Sequence, residues 1–166
     1  MRVFVAVQIP DEIKEKIVKL GKEIKQEGIV NVKPENMHLT LKFIGDVEKT
    51  DQIIERLGKV RFSKFDCRVH GVGAFPDEKY IRVVWAGIDG IDALAANVQE
   101  ALGKKERFTG HATIARVKRK VDLKDFLEHH HNDEFGEFTV SSFELIQSEL
   151  GPGGPRYTTI ATFEAN

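Results

Sequence analysis

The 166-residue chain contains a single cysteine, Cys67. No disulfide can therefore form within it, and no cysteine-based zinc cluster is possible. Long apolar runs are missing as well: no stretch approaches the roughly 18 apolar residues that a membrane span needs. The opening run from Val3 to Ile9 is too short for a signal-peptide core, and Pro10-Asp11 follows at once, so the cytoplasm is the expected address. Nor is there an excess of charge of one sign. Twenty-five Lys and Arg residues stand against 26 Asp and Glu, for a net charge of −1. Such a balance does not announce a surface that tracks a nucleic-acid strand, and any nucleic acid would be held locally, through few phosphates. The carboxylates form no metal-binding pattern of the His-Glu-x-x-His kind. What is present, 41% hydrophobic and 31% charged residues, describes a soluble globular protein with a core of ordinary size.

Met1 to Ile9 is dense in β-branched and aromatic residues and reads as a buried strand. Asp11 is the expected cap of a helix whose apolar stripe is Ile13, Ile17, Leu20 and Ile24, with Gly28 placed to end it. Residues 38–45 alternate as a strand, Thr50 caps a second helix bearing Ile53, Ile54 and Leu57, and a strand runs from Phe65 to Val72. The second half repeats this order. Tyr80 to Ile88 is a strand; Ile91, Leu94, Ala95, Val98 and Leu102 make a helical stripe; residues 111–117 are a strand; Asp122 caps a helix with Leu123, Phe126 and Leu127. Phe138 to Ile146 and Tyr157 to Phe163 supply two more strands, and the segment Gly151-Pro152-Gly153-Gly154-Pro155 is a mobile or sharply turned connection.

The halves superpose by number. His38 and His111 differ by 73, as do Thr40 and Thr113, Ile53 and Phe126, and Phe65 and Phe138. This predicts an internal duplication, approximately 1–75 and 79–147 plus a C-terminal strand, within one bilobal domain over 1–166. The expected fold is α+β: two pseudo-symmetric lobes, each an antiparallel sheet with helices on the outside, flanking a central cleft.

The repeated tetrapeptides His38-Leu39-Thr40-Leu41 and His111-Ala112-Thr113-Ile114 carry the chemistry. On a strand, residues two apart share a face, so each histidine projects beside its threonine while the apolar pair anchors them from behind. Across a cleft, one imidazole can act as base while the other, protonated, acts as acid. Hydroxyls suit the non-bridging oxygens of a phosphate whose charge rises in the transition state. This is a hydrolytic phosphodiester site that calls for neither metal nor cofactor. One His-x-Thr on a strand is ordinarily structural; two, at equivalent places, point to catalysis.

With their flanks, these motifs resemble the two-histidine (2H) phosphoesterase superfamily, and within it the RNA 2′,3′-cyclic phosphodiesterases, also called 2′–5′ RNA ligases. The likeness spans VFVAVQIP, HLTLKFIG, HATIAR, Ser148-Glu149-Leu150 and Gly154-Pro155-Arg156-Tyr157. It implies His38 as general acid, His111 as general base, Thr40, Thr113 and Arg116 as phosphate ligands, and hydrolysis of an RNA terminal 2′,3′-cyclic phosphate to a 2′-phosphomonoester. The implied partners are RNA ends or tRNA halves bearing that cyclic phosphate, and the expected state is a monomer. Two departures stand out. Gly110 replaces the family's proline before the second histidine, which predicts a looser turn. Arg116 and Phe43, each five residues after a motif histidine, have the wrong parity to share its face unless the strand bulges. Phe43 and Tyr157 are the candidates for stacking a base, and Lys42 has the parity to point into the cleft.

Two readings rival hydrolysis. The same residues can join a cyclic phosphate to a 5′-hydroxyl as a 2′–5′ linkage, but water at about 55 M outcompetes a second RNA end that is not held nearby. A binding module without turnover would favour Arg or Lys where the histidines stand. The run His129-His130-His131 reads as a solvated helix end rather than a metal site, because adjacent helical side chains diverge and positive charge suits the dipole there.

Overall fold

In the computed structural model, which describes all 166 residues, nine strands form two antiparallel sheets covered by four α-helices, an α+β fold. Strand β1 (Arg2–Gln8) is apolar on both faces, Val3 to Val7 all being buried, so it belongs in the interior of a sheet. It lies between β3 (His38–Asp46) and β8 (Ser142–Gly151), with β9 (Gly154–Glu164) beyond β8. The second sheet runs β2 (Ile29–Asn31), β6 (His111–Val117), β5 (Ile81–Asp89), β4 (Phe65–Pro76), β7 (Glu134–Val140). The chain thus crosses between sheets: β4 pairs with β5 in the second, and β8 returns to pair with β1 in the first.

The helices cross over in the same way. Helix α1 (Asp11–Gly21) buries Ile13, Ile17 and Leu20 and packs on β6 and β7. At its last residue, Gly21, a β-carbon would come within 3.1 Å of Ile114 Cγ2, so only a small residue lets the helix lie this close to β6. Helix α3 (Asp92–Ala101) packs on β3 of the other sheet, while α2 (Asp51–Leu57) contacts α3 and α4 (Lys124–His130) contacts β4. One cluster of 35 buried hydrophobic residues takes in both sheets and all four helices. The apolar residues of the motifs, Leu39, Leu41, Ala112 and Ile114, belong to it, which fixes the opposite faces of β3 and β6 toward the cleft.

Several expected boundaries move. Helix α1 ends at Gly21, not Gly28; Ile24 stays buried because its N–H bonds the Gly21 carbonyl in a three-residue turn, and Gly28, at φ +84°, opens the turn into β2. Asp11 is the first helical residue rather than the cap, with the Pro10 carbonyl accepting from Ile13 and Lys14. The single strand expected over 138–146 is two strands, β7 and β8, in different sheets. The glycine- and proline-rich segment is a sharp turn joining β8 to β9. Strand β2 and a 3-10 turn at Pro34–Asn36 occupy a stretch to which the sequence reading assigns no element.

Candidate active site

The two motif histidines are each the first residue of their strand, His38 of β3 and His111 of β6. The strands approach each other, and both histidines, with Thr40 and Thr113, line one cleft of about 240 Å³. All four are partly buried while the residues between them are fully so, the alternation of a strand with one face in the core.

Bulges resolve the parity of the two later residues. Beside β1, Thr40 pairs with Ala6 and Lys42 with Val5, so Leu41 has no partner. Beside β5, Thr113 pairs with Trp85 and Ala115 with Val84, which leaves Ile114 unpaired. Each strand therefore gains one residue at the fourth position of its motif, and the faces exchange after it. Phe43 and Arg116 turn onto the cleft, which both line, whereas Lys42 turns away and sets its Nζ 2.5 Å from Glu106 Oε1. Tyr157 reaches the cleft from β9, its ring edge-on to His38 with centroids 5.3 Å apart and to Phe4 at 5.1 Å. Phe4, opposite Phe43 in register, completes an aromatic wall on the first sheet. The sequence reading missed Phe4, along with Asn31, Lys33 and Asn36 from the segment between α1 and β3. Register alone could have found Phe4, since it sits across from Phe43.

The imidazoles are held differently. His111 Nδ1 lies 2.7 Å from the Thr109 carbonyl oxygen, which can only accept. The proton is thus on Nδ1, and Nε2 is left with its lone pair. A Phe75 ring stands edge-on to the imidazole at 5.0 Å. Gly110, just before it, leaves no looseness: a β-carbon there would meet the Ile88 carbonyl oxygen and Ile91 Cγ2, and its own carbonyl accepts from Ile88 N at 2.9 Å. The looser turn expected from the missing proline is therefore not found, because the glycine backbone is pressed against β5. His38 Nδ1 is buried with no partner of hydrogen-bonding geometry.

Burial lowers the pKa of both rings from the ordinary 6.5, since desolvation penalises the imidazolium. Smaller influences distinguish them. Around His38 the Asn36 carbonyl and the Glu144 carboxylate favour the cation, against Lys14. Around His111 the Thr109 carbonyl favours the cation, but the one charged neighbour, Arg116, opposes it. Only His38 has a carboxylate to help it hold a second proton.

Of the four remaining histidines, three have polar partners elsewhere, and His129 only sets its ring edge-on to that of His130. His70 pairs with Asp89, His130 Nδ1 lies 2.6 Å from Asp133 Oδ2, and His131 Nδ1 lies 3.2 Å from the Glu128 carbonyl. No group of three or more His, Cys, Asp or Glu side chains is placed to hold a metal, and no helix is long and apolar enough to cross a membrane.

The family described as LigT-like phosphoesterase matches residues 7–85, which takes in the first histidine motif. An RNA 2′,3′-cyclic phosphodiesterase of Archaeoglobus fulgidus is 42% identical, over 99% of this chain and 100% of its own. The chain belongs to the LigT-like phosphoesterases. Another member, an RNA 2′,3′-cyclic phosphodiesterase of Methanocaldococcus jannaschii, is 37% identical over 96% of this chain and 98% of its own. Among solved LigT-like structures, the Escherichia coli LigT crystal structure with 3′-AMP superposes with a TM-score of 0.80 at 27% identity. It covers 99% of this chain and 97% of that one. TT0787 of Thermus thermophilus gives the same TM-score and the same coverage at 33% identity.

Proposed function

We infer that this LigT-like phosphoesterase hydrolyses the terminal 2′,3′-cyclic phosphate of RNA to a 2′-phosphomonoester, by paired-histidine acid and base catalysis and without a metal. The observation that carries the reading is the shared cleft: two partly buried imidazoles, each beside a threonine hydroxyl, on strands from different sheets. Whole-length relatives that are RNA 2′,3′-cyclic phosphodiesterases support it.

His111 Nε2, its other nitrogen occupied by the Thr109 carbonyl, takes a proton from water, whose oxygen attacks phosphorus opposite the departing oxygen. His38, the ring with the carboxylate neighbour, gives its proton to O3′ as the O3′–P bond breaks. The hydroxyls of Thr40 and Thr113 and the guanidinium of Arg116 donate to the non-bridging oxygens, where charge accumulates. Tyr157 and Phe43 present ring faces to the base of the terminal nucleotide. The ribose 2′-oxygen is part of the reacting ring, so DNA ends are inert. The substrates are cytoplasmic RNA ends such as tRNA halves, taken by a monomer.

The same reading extends to the origin of the architecture: two like halves, approximately 1–75 and 79–147, that exchange β4 and β8. It is supported by the matching registers, His38 opposite Gln8 on β1 and His111 opposite Gly87 on β5, and by the bulge at the fourth motif position in both. Incubation with 2′,3′-cyclic AMP and chromatography of the products tests the activity. Accumulation of a monoester, abolished in the His38→Ala variant, is expected; persistence of the cyclic nucleotide overturns it.

A further inference from the structure

On the far side of Phe43 from the cleft lies a second depression, about 340 Å³, bounded by β3, α2 and the segment after α3. Its charged lining is three cations, Lys42, Arg56 and Lys104, and one carboxylate, Glu106. The Lys42 side chain is only 9% exposed, and Lys104 Nζ stands 3.4 Å from the same Glu106 oxygen that Lys42 contacts. The hydrogen bond from Lys42, and less so that from Lys104, holds the Glu106 carboxyl below its ordinary range, so it stays ionised. One carboxylate offsets one cation, and two positive charges remain uncompensated in a chain whose net charge is −1. The reaction proposed above uses none of these groups. Phe43 borders both hollows and is 71% exposed, a large ring left in water between them.

We propose that this depression is a second phosphate subsite, which holds the phosphodiester on the 5′ side of the terminal nucleotide of an RNA substrate. The proposal rests on the reading of the cleft as the site of the terminal cyclic phosphate. Single-stranded RNA is recognised by rings on which bases stack and by cations along the backbone, and here an exposed ring stands between a cleft with phosphate ligands and a cationic hollow. From Thr40 to Phe43 the strand advances only two register positions, from Ala6 to Phe4 on β1, because Leu41 is bulged out; that is roughly 7 Å, a distance on the scale of one nucleotide. The bulge at Leu41 makes the arrangement possible, because it sends Phe43 to the cleft side and Lys42 to the hollow. Arg56 supplies a planar fork for two phosphate oxygens, and Lys42 and Lys104 supply point charges. A cyclic mononucleotide has no such phosphodiester and gains nothing from the subsite.

The test compares 2′,3′-cyclic AMP with a trinucleotide ending in a 2′,3′-cyclic phosphate, using the full-length protein and the double variant Arg56→Ala/Lys104→Ala. Both positions are exposed and outside the cleft. Expected is a rise in KM for the trinucleotide of about 3- to 10-fold, the worth of one or two screened ion pairs, with cyclic AMP kinetics unchanged. A trinucleotide whose last internucleotide linkage is an uncharged methylphosphonate should behave in the wild type as the ordinary one does in the variant. Anisotropy of a 5′-labelled trinucleotide carrying a terminal 2′-phosphate reads binding without turnover. The salt dependence of its log affinity should flatten by about 0.7 to 1.4 in the variant. Equal effects on both substrates, or an unchanged trinucleotide KM and salt slope, overturn the subsite. Failure of the wild type to open cyclic AMP would instead overturn the reading of the cleft, while the anisotropy still judges the subsite.

Discussion

Adding one methyl group at Gly110 should uncouple catalysis from binding. The new β-carbon would lie 2.6 Å from Ile91 Cγ2, about 0.8 Å short of the 3.4 Å at which ordinary contact begins, and closer still to the Ile88 carbonyl oxygen. Neither neighbour is free to give way. Ile91 is fully buried beside α3, and the Ile88 carbonyl belongs to strand β5. The start of β6 must move instead, carrying His111 and the Thr109 carbonyl that orients it. Overpacking of this kind costs roughly 1–3 kcal/mol of stability, a few degrees in Tm for a domain of this size. A misplacement approaching 1 Å in a reacting group costs on the order of 10²-fold in rate. Gly110→Ala should therefore lower kcat on 2′,3′-cyclic AMP by about 10²-fold with KM changed by less than about threefold, because Thr40, Arg116 and the aromatic wall are untouched. Steady-state kinetics beside a thermal melt measure both. A variant with wild-type kcat and an unaltered Tm would refute the claim that Gly110 is pressed against β5 and fixes the histidine.

His38→Ala and His111→Ala should each reduce kcat by about 10²- to 10⁴-fold, and the double variant should fall well short of the product of the two losses, as steady-state rates will show. Thr40→Ala and Thr113→Ala each remove a hydrogen bond to an anion and should cost roughly 10- to 100-fold in kcat/KM. The base must be neutral and the acid protonated, and both rings titrate below 6.5 in the free protein; the pH profile of kcat/KM should therefore peak on the acid side of 6.5. Arg116→Ala removes the cation that opposes His111 protonation, so the acidic limb of that profile should move to higher pH; no movement would separate Arg116 from the base. Prolonged dialysis against EDTA should leave activity intact, and activity lost and then restored by zinc or magnesium would contradict the paired-histidine mechanism.

Much of the site was legible in the sequence because strands obey a simple rule. A period of two puts His38 with Thr40 and His111 with Thr113, and the apolar residues between them say which face is inward. The 73-residue offset drew attention to both motifs together. Bulges were not legible: nothing in Leu41 or Ile114 marks it as the residue left unpaired, and the faces shown to the cleft by Phe43, Arg116 and Lys42 all depend on that. The split between β7 and β8 does leave a trace in the burial pattern. Buried positions run Phe138, Val140, then Phe143, Leu145, so the parity changes at Ser141-Ser142, where the chain leaves one sheet for the other. Strand β2 has three residues and pairs only along an edge, too short for any periodicity to appear. The tightness at Gly110 comes from β5 and Ile91, and no local reading could have found it.

Phosphorus NMR of a short RNA ending in a 2′,3′-cyclic phosphate, followed during incubation with the purified protein, tests the central claim most directly. The cyclic phosphate resonance should be replaced by that of a 2′-phosphomonoester, with no change when His38→Ala or His111→Ala protein is used instead. A cyclic phosphate that persists with the wild type would contradict the claim, as would its unimpaired hydrolysis by either variant.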